Sequence, residues 1–292
     1  MSSYQIKKTP KTKFINLFRT VFTLPLFEDA LVALTSKTRS PLLRKFVPPN
    51  YLYKKESFRT ITRENIKYKL DISNVVDHYL YFGLEDPVYT SVLETIQNAK
   101  TILDIGANIG TTSLYFASLN AKAKIISFEP HPDTFKRAEE NIKLNSFRNI
   151  ELLNIGLGEQ KAELKLYEVN ENNPGMNRIL AEETNLPYKI IQVDLLDKIM
   201  EEKSIPPVDF IKIDVEGFEY SVLKGGVNTL KNKPVLFIEL DDNNLRENNS
   251  TAEELIKLLY TIGYSRFYRA DTSEAVSTTT DFSHCHFDLI AK

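Results

Sequence analysis

Thr101-Ile-Leu-Asp-Ile-Gly-Ala-Asn-Ile-Gly110 is a short apolar segment that runs directly into a turn with two glycines. Apolar runs of this length are typical of buried strands in a parallel sheet. Gly106 permits a tight turn or a positive φ, and Gly110 would let the next helix pack closely and a ligand approach the backbone. The segment therefore predicts the first strand, loop and helix of an α/β domain.

Strands and helices alternate after this segment, which predicts a doubly wound, mostly parallel seven-stranded sheet with helices on both faces. The chain ends in a predicted antiparallel pair, so the C-terminal strand should run against the others. An irregular stretch interrupts the alternation, with strands expected at 163–169 and 189–193 around a polar loop at 170–177. The other expected strands are 101–105, 124–129, 150–154, 208–213, 235–240, 265–269 and 286–291, and the expected helices are 108–119, 132–144, 194–203, 220–230 and 251–262.

The residues before this domain follow a different pattern. Two short helices are expected before the break at Pro48-Pro49, and a β-hairpin is expected from the alternation in 58–63 and 66–70. Helices are expected at 75–82 and 87–98. We expect a helical and hairpin extension over residues 1–73 and the α/β domain over residues 74–292.

Composition limits the class of protein. The 37 basic and 39 acidic side chains give a net charge of −2, which argues against general nucleic-acid binding because such proteins neutralise phosphates with a basic excess. Cys285 is the single cysteine, so no intrachain disulfide can form, and a reducing, cytoplasmic location is expected. No apolar run approaches the roughly 20 residues that span a bilayer.

The N-terminal residues combine basic and apolar side chains. Lys7, Lys8, Lys11 and Lys13 precede the largely apolar stretch 14–27. We expect an amphipathic helix here, either packed on its domain or resting on a membrane surface or a partner.

A cofactor site is indicated by the first loop and by Glu129, which follows the second strand. Ligands of open α/β sheets bind beyond the carboxyl ends of the strands, and an acidic residue about 20 positions after the glycine turn binds ribose hydroxyls. Glu129 lies 23 positions after Gly106. The Gly-x-x-x-Gly spacing differs from the dinucleotide pattern Gly-x-Gly-x-x-Gly, whose amides face a pyrophosphate.

A cofactor with an amino-acid tail and no phosphate, S-adenosylmethionine, fits these residues better than NAD; a turn that binds nothing is the remaining alternative. Asp104 could accept a hydrogen bond from an ammonium group, and Asn154 and Gly156 would border the adenine. The predicted cofactor residues are Asp104, Gly106, Ala107, Asn108, Gly110, Glu129, Pro130, His131, Asn154, Gly156 and Asp214.

Three carboxylates, Asp214, Glu216 and Glu219, follow the fourth strand of the predicted sheet. Neighbouring carboxylates repel, which raises at least one pKa towards the range of a useful base. We expect Asp214 to face the reacting centre, as base or as the group that orients the acceptor, with Glu216 as the alternative base. Glu216 could instead cap the following helix. Lys212 could be a buried partner for one of these acids.

Further candidates are less specific. His131 could act as base or touch the adenosine, and Glu239 could line the acceptor pocket. Asp214, Glu239 and Asp241 could bind Mg²⁺ through oxygen, but their spacing does not require a metal, and we expect none.

Several segments together resemble the FkbM family of methyltransferases. Besides 101–110 and Tyr81-Phe-Gly-Leu-Glu85, they are Phe128-Glu-Pro-His-Pro132, Asn154-Ile-Gly-Leu-Gly158, Leu195-Leu-Asp197, Val208-Asp-Phe-Ile-Lys-Ile-Asp-Val-Glu-Gly-Phe-Glu219, Val222-Leu-Lys-Gly-Gly226 and Pro234-Val-Leu-Phe-Ile-Glu239. The resemblance covers roughly residues 75–292. It implies a Rossmann-like class I methyltransferase fold, S-adenosylmethionine as methyl donor, and a hydroxyl acceptor on a sugar, glycan or small-molecule natural product.

Two alternatives remain from the sequence: an RNA or protein methyltransferase of the same fold, and a non-catalytic scaffold that retains the fold. The Asn-Pro-Pro-Tyr type of signature that accompanies amino methylation is absent after the fourth strand, where Asp214-Val-Glu-Gly217 stands instead. Retention of both acidic segments argues against the scaffold.

Overall fold

The computed structural model describes residues 9–38, 40–84, 88–171 and 173–292. The described residues do not include Lys7, Lys8, Glu85 and Pro87, to which some of the predictions above refer. The described chain divides into two units, one of residues 9–61 and 69–84 and the other of residues 62–68 and 88–292. A domain boundary after residue 73 stays a prediction.

Proline begins each of the first three helices, where its missing N–H leaves no hydrogen bond unmade. Among the residues described before position 50 there are three α-helices instead of the two expected, because Pro41 starts a short helix of its own. The hairpin expected from the alternating pattern is present as a two-stranded sheet. The elements up to residue 84 are α1 (Pro10–Arg19), α2 (Pro25–Lys37), α3 (Pro41–Arg44), β1 (Phe58–Arg63), β2 (Ile66–Asp71) and α4 (Val75–Phe82), with 3-10 turns at Thr20–Thr23 and Asn50–Leu52.

Glu28 and His78 are buried polar residues of the first unit that have hydrogen-bond partners. The carboxylate of Glu28 accepts hydrogen bonds from Arg59 Nε at 2.7 Å and from the Tyr81 hydroxyl at 3.1 Å. Burial lowers the pKa of His78 to about 4, although its Nε2 lies 2.7 Å from the Pro48 carbonyl oxygen. Among the described residues, no helix is long and apolar enough to cross a membrane.

The second unit contains the alternating strands and helices. A 3-10 turn at Thr90–Val92 precedes its first helix, and another lies at Pro174–Met176. The remaining elements, in chain order, are α5 (Leu93–Asn98), β3 (Thr101–Ile105), α6 (Thr111–Leu119), β4 (Lys124–Phe128), α7 (Pro132–Lys143), β5 (Ile150–Leu153), β6 (Gly156–Leu157), β7 (Ala162–Tyr167), β8 (Arg178–Ile179), β9 (Tyr188–Asp194), α8 (Leu196–Glu202), β10 (Phe210–Ile213), α9 (Glu219–Gly225), α10 (Val227–Leu230), β11 (Val235–Asp241), α11 (Asp242–Arg246), α12 (Ala252–Ile262), β12 (Phe267–Arg269) and β13 (His286–Ala291).

Seven strands form the central sheet, in the order β12-β13-β11-β10-β3-β4-β5. The inner strands are parallel, and β13 runs antiparallel to β11 and β12. One face buries Leu103 and Ile211 against residues of α12, and the other buries Ile102 and Phe210 against Phe116 of α6. Helices thus cover both faces, and the predicted doubly wound fold with an antiparallel C-terminal strand is confirmed.

A second sheet of four short strands, ordered β6-β9-β7-β8, is inserted between β5 and α8. The sequence predicted β7 and β9 but missed β6 and β8, because two-residue strands carry no readable alternation. The helix expected at 220–230 is broken at Gly226 into α9 and α10. Helix α11 was also missed; the Asp241 side chain caps it by accepting from the N–H groups of Asn243 and Asn244.

Asn120 joins the ends of several elements of the second unit. Its Nδ2 donates to the carbonyls of Ile96 and Ala99, at 3.0 and 2.8 Å, and its Oδ1 accepts from the N–H of Ala123 at 3.1 Å. The side chain is buried, so these groups have no access to water when it is removed.

We predict that Asn120→Ala destabilises the second unit by about 3 kcal/mol, because buried donors and acceptors would lose their partners. The measurement is urea unfolding followed by far-UV circular dichroism, since the chain has no tryptophan. Asn98→Ala is the control: Asn98 is exposed and donates to Glu94 within its own helix. Equal unfolding midpoints for the two variants would contradict the prediction.

Candidate active site

A buried lysine lies where β10 meets β3. Lys212 pairs with Asp104 in the parallel register, and its Nζ donates to the Gly106 carbonyl at 2.8 Å. The same ammonium lies 3.2 Å from Asp214 Oδ2 and 3.6 Å from Asp104 Oδ1. Burial alone would lower the pKa of Lys212, but the two carboxylates outweigh it and hold the pKa above its ordinary value. Lys212 therefore remains charged and joins the glycine turn to the acidic segment.

Asp104 lies beneath the turn and is fully buried. Its Oδ2 accepts from the Ser113 hydroxyl at 2.5 Å, and that hydroxyl also lies 2.8 Å from Ser127 Oγ. Burial raises the pKa of Asp104, and Lys212 and Ser113 oppose the shift. The carboxylate faces Lys212 and the first turn of α6, so in this structure it supports the loop and is not part of the pocket lining.

The backbone of the turn requires glycine. Gly106 has φ +83°, and a Cβ there would lie 1.8 Å from the Asp214 carbonyl oxygen. Gly110 has φ +84°, with Ala138 at an ordinary contact distance of 3.4 Å. The N–H groups of Gly106 and Ala107 donate to the Phe128 carbonyl at 3.0 and 2.9 Å, which fixes the turn against the end of β4.

Glu129 is held by the loops on either side of it. Its Oε2 accepts from the N–H of Asn108 and its Oε1 from the N–H of His131, both at 2.9 Å. Burial raises the pKa of Glu129 to about 7, against these two hydrogen bonds. Each carboxylate oxygen keeps a second lone pair, so Glu129 can accept hydrogen bonds from two hydroxyls of a ligand.

The other residues after β4 and β5 shape the loop around Glu129. His131 caps α7 with Nδ1, 3.4 Å from the Thr134 N–H, and its Nε2 lies 3.3 Å from Glu168 Oε1. Asn154 is exposed, and its Nδ2 donates to the Glu129 and Pro130 carbonyls at 2.8 and 3.0 Å. Asn154 thus holds the loop in place and does not line the pocket.

A pocket lies at the carboxyl ends of β3, β4 and β10, where an open α/β sheet binds its ligands. Of the predicted site residues, Asp104, Ala107, Gly110 and Asn154 are not in its lining. The inserted sheet and the loop before β8 contribute a wall that the sequence did not predict. The predicted residues in the lining are Gly106, Asn108, Glu129, Pro130, His131, Gly156, Asp214 and Glu216, and the wall includes Leu166, Pro174, Gly175, Asn177, Ile179 and Ile191.

The acidic segment after β10 is held by Glu219. Glu219 is buried, and its Oε1 accepts from the N–H groups of Val215 and Gly217 at 3.0 and 3.1 Å. Burial raises the pKa of Glu219 to about 7, against these hydrogen bonds. Glu219 therefore holds this turn. The alternative role of Glu216, as a cap of the following helix, is not observed, because α9 has no side-chain cap hydrogen bond.

Glu216 lines the pocket. It has a left-handed backbone, φ +53°, and its Oε2 accepts from Asn244 Nδ2 at 3.1 Å. Arg178 Nη2 lies 3.8 Å from the same oxygen. Burial raises the pKa of Glu216 to about 8, the charge of Asp214 adds to the shift, and Arg178 opposes it.

Arg178 connects the inserted sheet to this segment. The side chain is 8% exposed; its Nη1 donates to Asn244 Oδ1 and lies 3.2 Å from Glu247 Oε2. Nearby, Asn248 Nδ2 donates to the carbonyls of Ile179 and Gly217 at 3.0 and 3.2 Å. The insertion is therefore attached to the loop that carries Glu216.

Asp214, Glu216 and Glu239 form an acidic cluster in which one carboxylate oxygen from each residue lies within 4.8 Å of the other two. Burial raises the pKa of Glu239 well above its ordinary value, and the charges of Asp214 and Glu216 add to it. Asp288 pairs with Glu239 in the register, and burial raises its pKa to about 6. Three such oxygens could hold a divalent cation, whereas the sequence led us to expect no metal; that expectation stays a prediction.

Comparison with known proteins identifies the family. Residues 104–266, more than half of the chain, match the model of the FkbM methyltransferase domain. The chain belongs to the FkbM methyltransferase family. The resemblance stated from the sequence is thereby confirmed, and the matched FkbM region begins at Asp104 and includes both the glycine turn and the acidic cluster.

Two relatives of this FkbM chain are methyltransferases by name. It is 29% identical over 156 residues to the hexuronic acid methyltransferase AglP of Haloferax volcanii. The match covers 53% of this chain and 62% of AglP. The chain is 26% identical over 172 residues to the 2-O-methyltransferase NoeI of Sinorhizobium fredii, covering 54% and 70%. A methyltransferase FkbM structure from Methylobacillus flagellatus is 16% identical, with a TM-score of 0.44 over 74% of this chain and 52% of that one.

We predict that Gly106→Ala destabilises the protein much more than Gly110→Ala. Both glycines have the same positive φ, which costs an alanine roughly 1 kcal/mol, but only at Gly106 does the added methyl overlap a backbone carbonyl. Thermal unfolding followed by circular dichroism measures the difference. If both variants unfold at the same temperature, the close approach of the Asp214 carbonyl does not require glycine at position 106.

Proposed function

We propose that this protein transfers the methyl group of S-adenosylmethionine to a hydroxyl oxygen of a sugar, a glycan or a small-molecule natural product. The observation that carries the proposal is the composition of the pocket. Glu129, placed to bind ribose hydroxyls, lines the same cavity as the candidate catalytic carboxylates Asp214 and Glu216. The names of the relatives, a hexuronic acid methyltransferase and a 2-O-methyltransferase, support a sugar hydroxyl as the acceptor.

The residues around the turn fit the methyl donor. Glu129 has lone pairs for both ribose hydroxyls. Gly106 lines the same pocket, and its lack of a side chain lets the Asp214 backbone pack against the turn. The positive sulfonium would be favoured by the negative charge of Asp214, which is partly exposed at the pocket. When bound, the donor supplies an electrophilic methyl carbon; its position, orientation and dry surroundings come from the protein.

We assign different roles to the two catalytic carboxylates. Lys212 holds Asp214 at 3.2 Å, which suits Asp214 to orient the acceptor hydroxyl and the sulfonium. Glu216 has a pKa near 8, which suits it to take a proton near neutral pH. With the donor bound, its methyl carbon would be the electrophile for in-line attack by the acceptor oxygen, and the sulfur would leave with the electron pair of the broken carbon–sulfur bond. Glu216 would accept the proton of the acceptor hydroxyl.

Calorimetry tests the cofactor assignment. We predict that the wild-type protein binds S-adenosylhomocysteine and that Glu129→Ala weakens binding about tenfold to a hundredfold, as loss of a hydrogen bond to a charged group costs about 1.5–3 kcal/mol. Glu151→Ala is the control, because Glu151 lies on the adjacent strand and pairs with Lys203 outside the pocket. A wild-type protein that binds neither the donor nor the product at millimolar concentration would rule out the enzyme.

The acceptor requires a transfer assay with radiolabelled methyl donor. Neutral sugars, uronic acids, lipid-linked glycans and RNA are the classes to compare, with Asp214→Ala as the inactive control. Transfer to RNA alone would overturn the assignment of a sugar or natural-product hydroxyl, and an Asp214→Ala variant as fast as wild type would overturn the role of Asp214.

The pH dependence of methyl transfer tests Glu216. A base works in its deprotonated form, so we predict that the rate rises with pH to a plateau above a pKa of about 8. Arg178 lowers this pKa, whereas Asp214, Glu219 and Asp241 raise it. Arg178→Gln removes the one positive charge of that set, so the pKa should rise and the rising limb should move to higher pH.

Arg178→Lys is the matched control, since it keeps a positive charge near Glu216 and should leave the limb close to its wild-type position. Glu216→Gln should remove the limb together with most of the rate. A limb that persists unchanged in Glu216→Gln belongs to another group, and Glu216 would then not be the base.

A further inference from the structure

Helix α1 turns its polar side towards the rest of its unit and its apolar side outwards. Asn16 is buried, and its Nδ2 donates to the Tyr51 hydroxyl at 3.0 Å. Phe14, Leu17 and Phe18 are 63%, 69% and 60% exposed, and Val21 in the following turn is exposed as well. Their spacing of three, four and seven residues is that of one helical face. A helix that stabilised its unit through an apolar core face would have the opposite orientation.

The exposed apolar residues continue beyond α1. Leu26 at the start of α2 is 79% exposed, and Leu42 and Phe46 are exposed around α3. Phe22 lies 6.3 Å from Phe27 and 5.8 Å from Phe46, ring centre to ring centre, which connects the three segments. We call this surface the N-terminal apolar face; its exposed members are Phe14, Leu17, Phe18, Val21, Leu24, Leu26, Phe27, Leu42 and Phe46.

Single exposed apolar residues are ordinary on a soluble protein, but a continuous set marks an interaction surface. Those of the second unit are fewer: Leu186, Tyr188 and Ile190 lie at or beside the start of β9, and the others, Val88, Leu144 and Tyr260, come from distant parts of the chain. The N-terminal apolar face instead comes from one continuous segment of the chain.

The charges of this segment are almost all positive. The basic residues described between Thr9 and Phe46 are Lys11, Lys13, Arg19, Lys37, Arg44 and Lys45, and the acidic residues are Glu28 and Asp29. Glu28 is buried against Arg59, so Asp29 is the exposed acid of the described segment. Exposed apolar residues bordered by lysine and arginine match a membrane interface, with the apolar side chains at the acyl boundary and the cations at anionic headgroups.

We propose that the N-terminal apolar face docks on an anionic membrane surface. A second copy of the chain would bring the same basic residues against one another, and their repulsion disfavours that occupant. Helix α1, with ten residues, is about 15 Å long, which suits a helix lying in the plane of the interface. The inference is independent of the methyl acceptor and of the residues in the pocket.

Vesicle co-sedimentation of the full chain tests this proposal, with vesicles of phosphatidylcholine alone and of phosphatidylcholine with phosphatidylglycerol. We predict at least about tenfold tighter binding to the anionic vesicles, because several lysines and arginines each contribute to attraction at a negative surface. High salt should weaken this binding. Equal binding to both kinds of vesicle, or binding to neither, would overturn the proposal.

Paired variants locate the contact. Leu17→Gln with Phe18→Gln changes two side chains that are already exposed, so the fold should persist, and binding should fall about a hundredfold because two large side chains no longer leave water. Ile190→Gln on β9, 53% exposed, is the control and should bind like wild type. Unchanged binding of the double variant would exclude this face.

Sedimentation velocity without lipid tests whether a second copy of the chain binds the N-terminal apolar face instead. We expect the wild-type protein and the Leu17→Gln, Phe18→Gln variant to sediment as the same species. If the wild-type protein is a dimer and the double variant is a monomer, the face is an interface between copies of the chain and the proposal is wrong.

Discussion

The site depends on one buried cation. Lys212 is almost fully enclosed, yet it stays charged because its ammonium has the Gly106 carbonyl, Asp214 and Asp104 around it. A buried charge is tolerated only when it is paired and hydrogen-bonded. Removing any one of these groups would leave a buried charge without its partner. The glycine turn after β3 and the acidic segment after β10 are therefore held together through Lys212. Two segments more than a hundred residues apart thereby share one geometry.

Sequence reasoning succeeded where the chemistry is local. The strand alternation follows from apolar runs, the positive φ of Gly106 and Gly110 follows from residue type, and the position of Glu129 at the pocket follows from its spacing to the first turn. Contact of Glu129 with a cofactor stays a prediction. These features need only the chain direction and the rule that ligands bind at the carboxyl ends of parallel strands. The same rule correctly brought Asp214 and Glu216 to the pocket that Glu129 lines.

Sequence reasoning failed where the chemistry depends on tertiary contacts. Nothing in a two-residue strand indicated that Arg178 would lie near Glu216, or that Asn244 and Asn248 would connect the insertion to its loop. Nothing in the sequence around Asp104 indicated that the neighbouring strand would supply Lys212 as its partner, because Lys212 is near in space but distant in sequence. The predicted contact of Asp104 with the methyl donor stays a prediction.

The N-terminal segment shows a third kind of ambiguity. An amphipathic helix that packs on a core and one that lies on a membrane have the same periodicity, because periodicity records only that two faces differ. Orientation distinguishes them: Asn16 is buried and donates to Tyr51 inside the unit, whereas Phe14, Leu17 and Phe18 are exposed. The basic residues of the same segment are the reason for proposing a negative surface, because opposite charges attract.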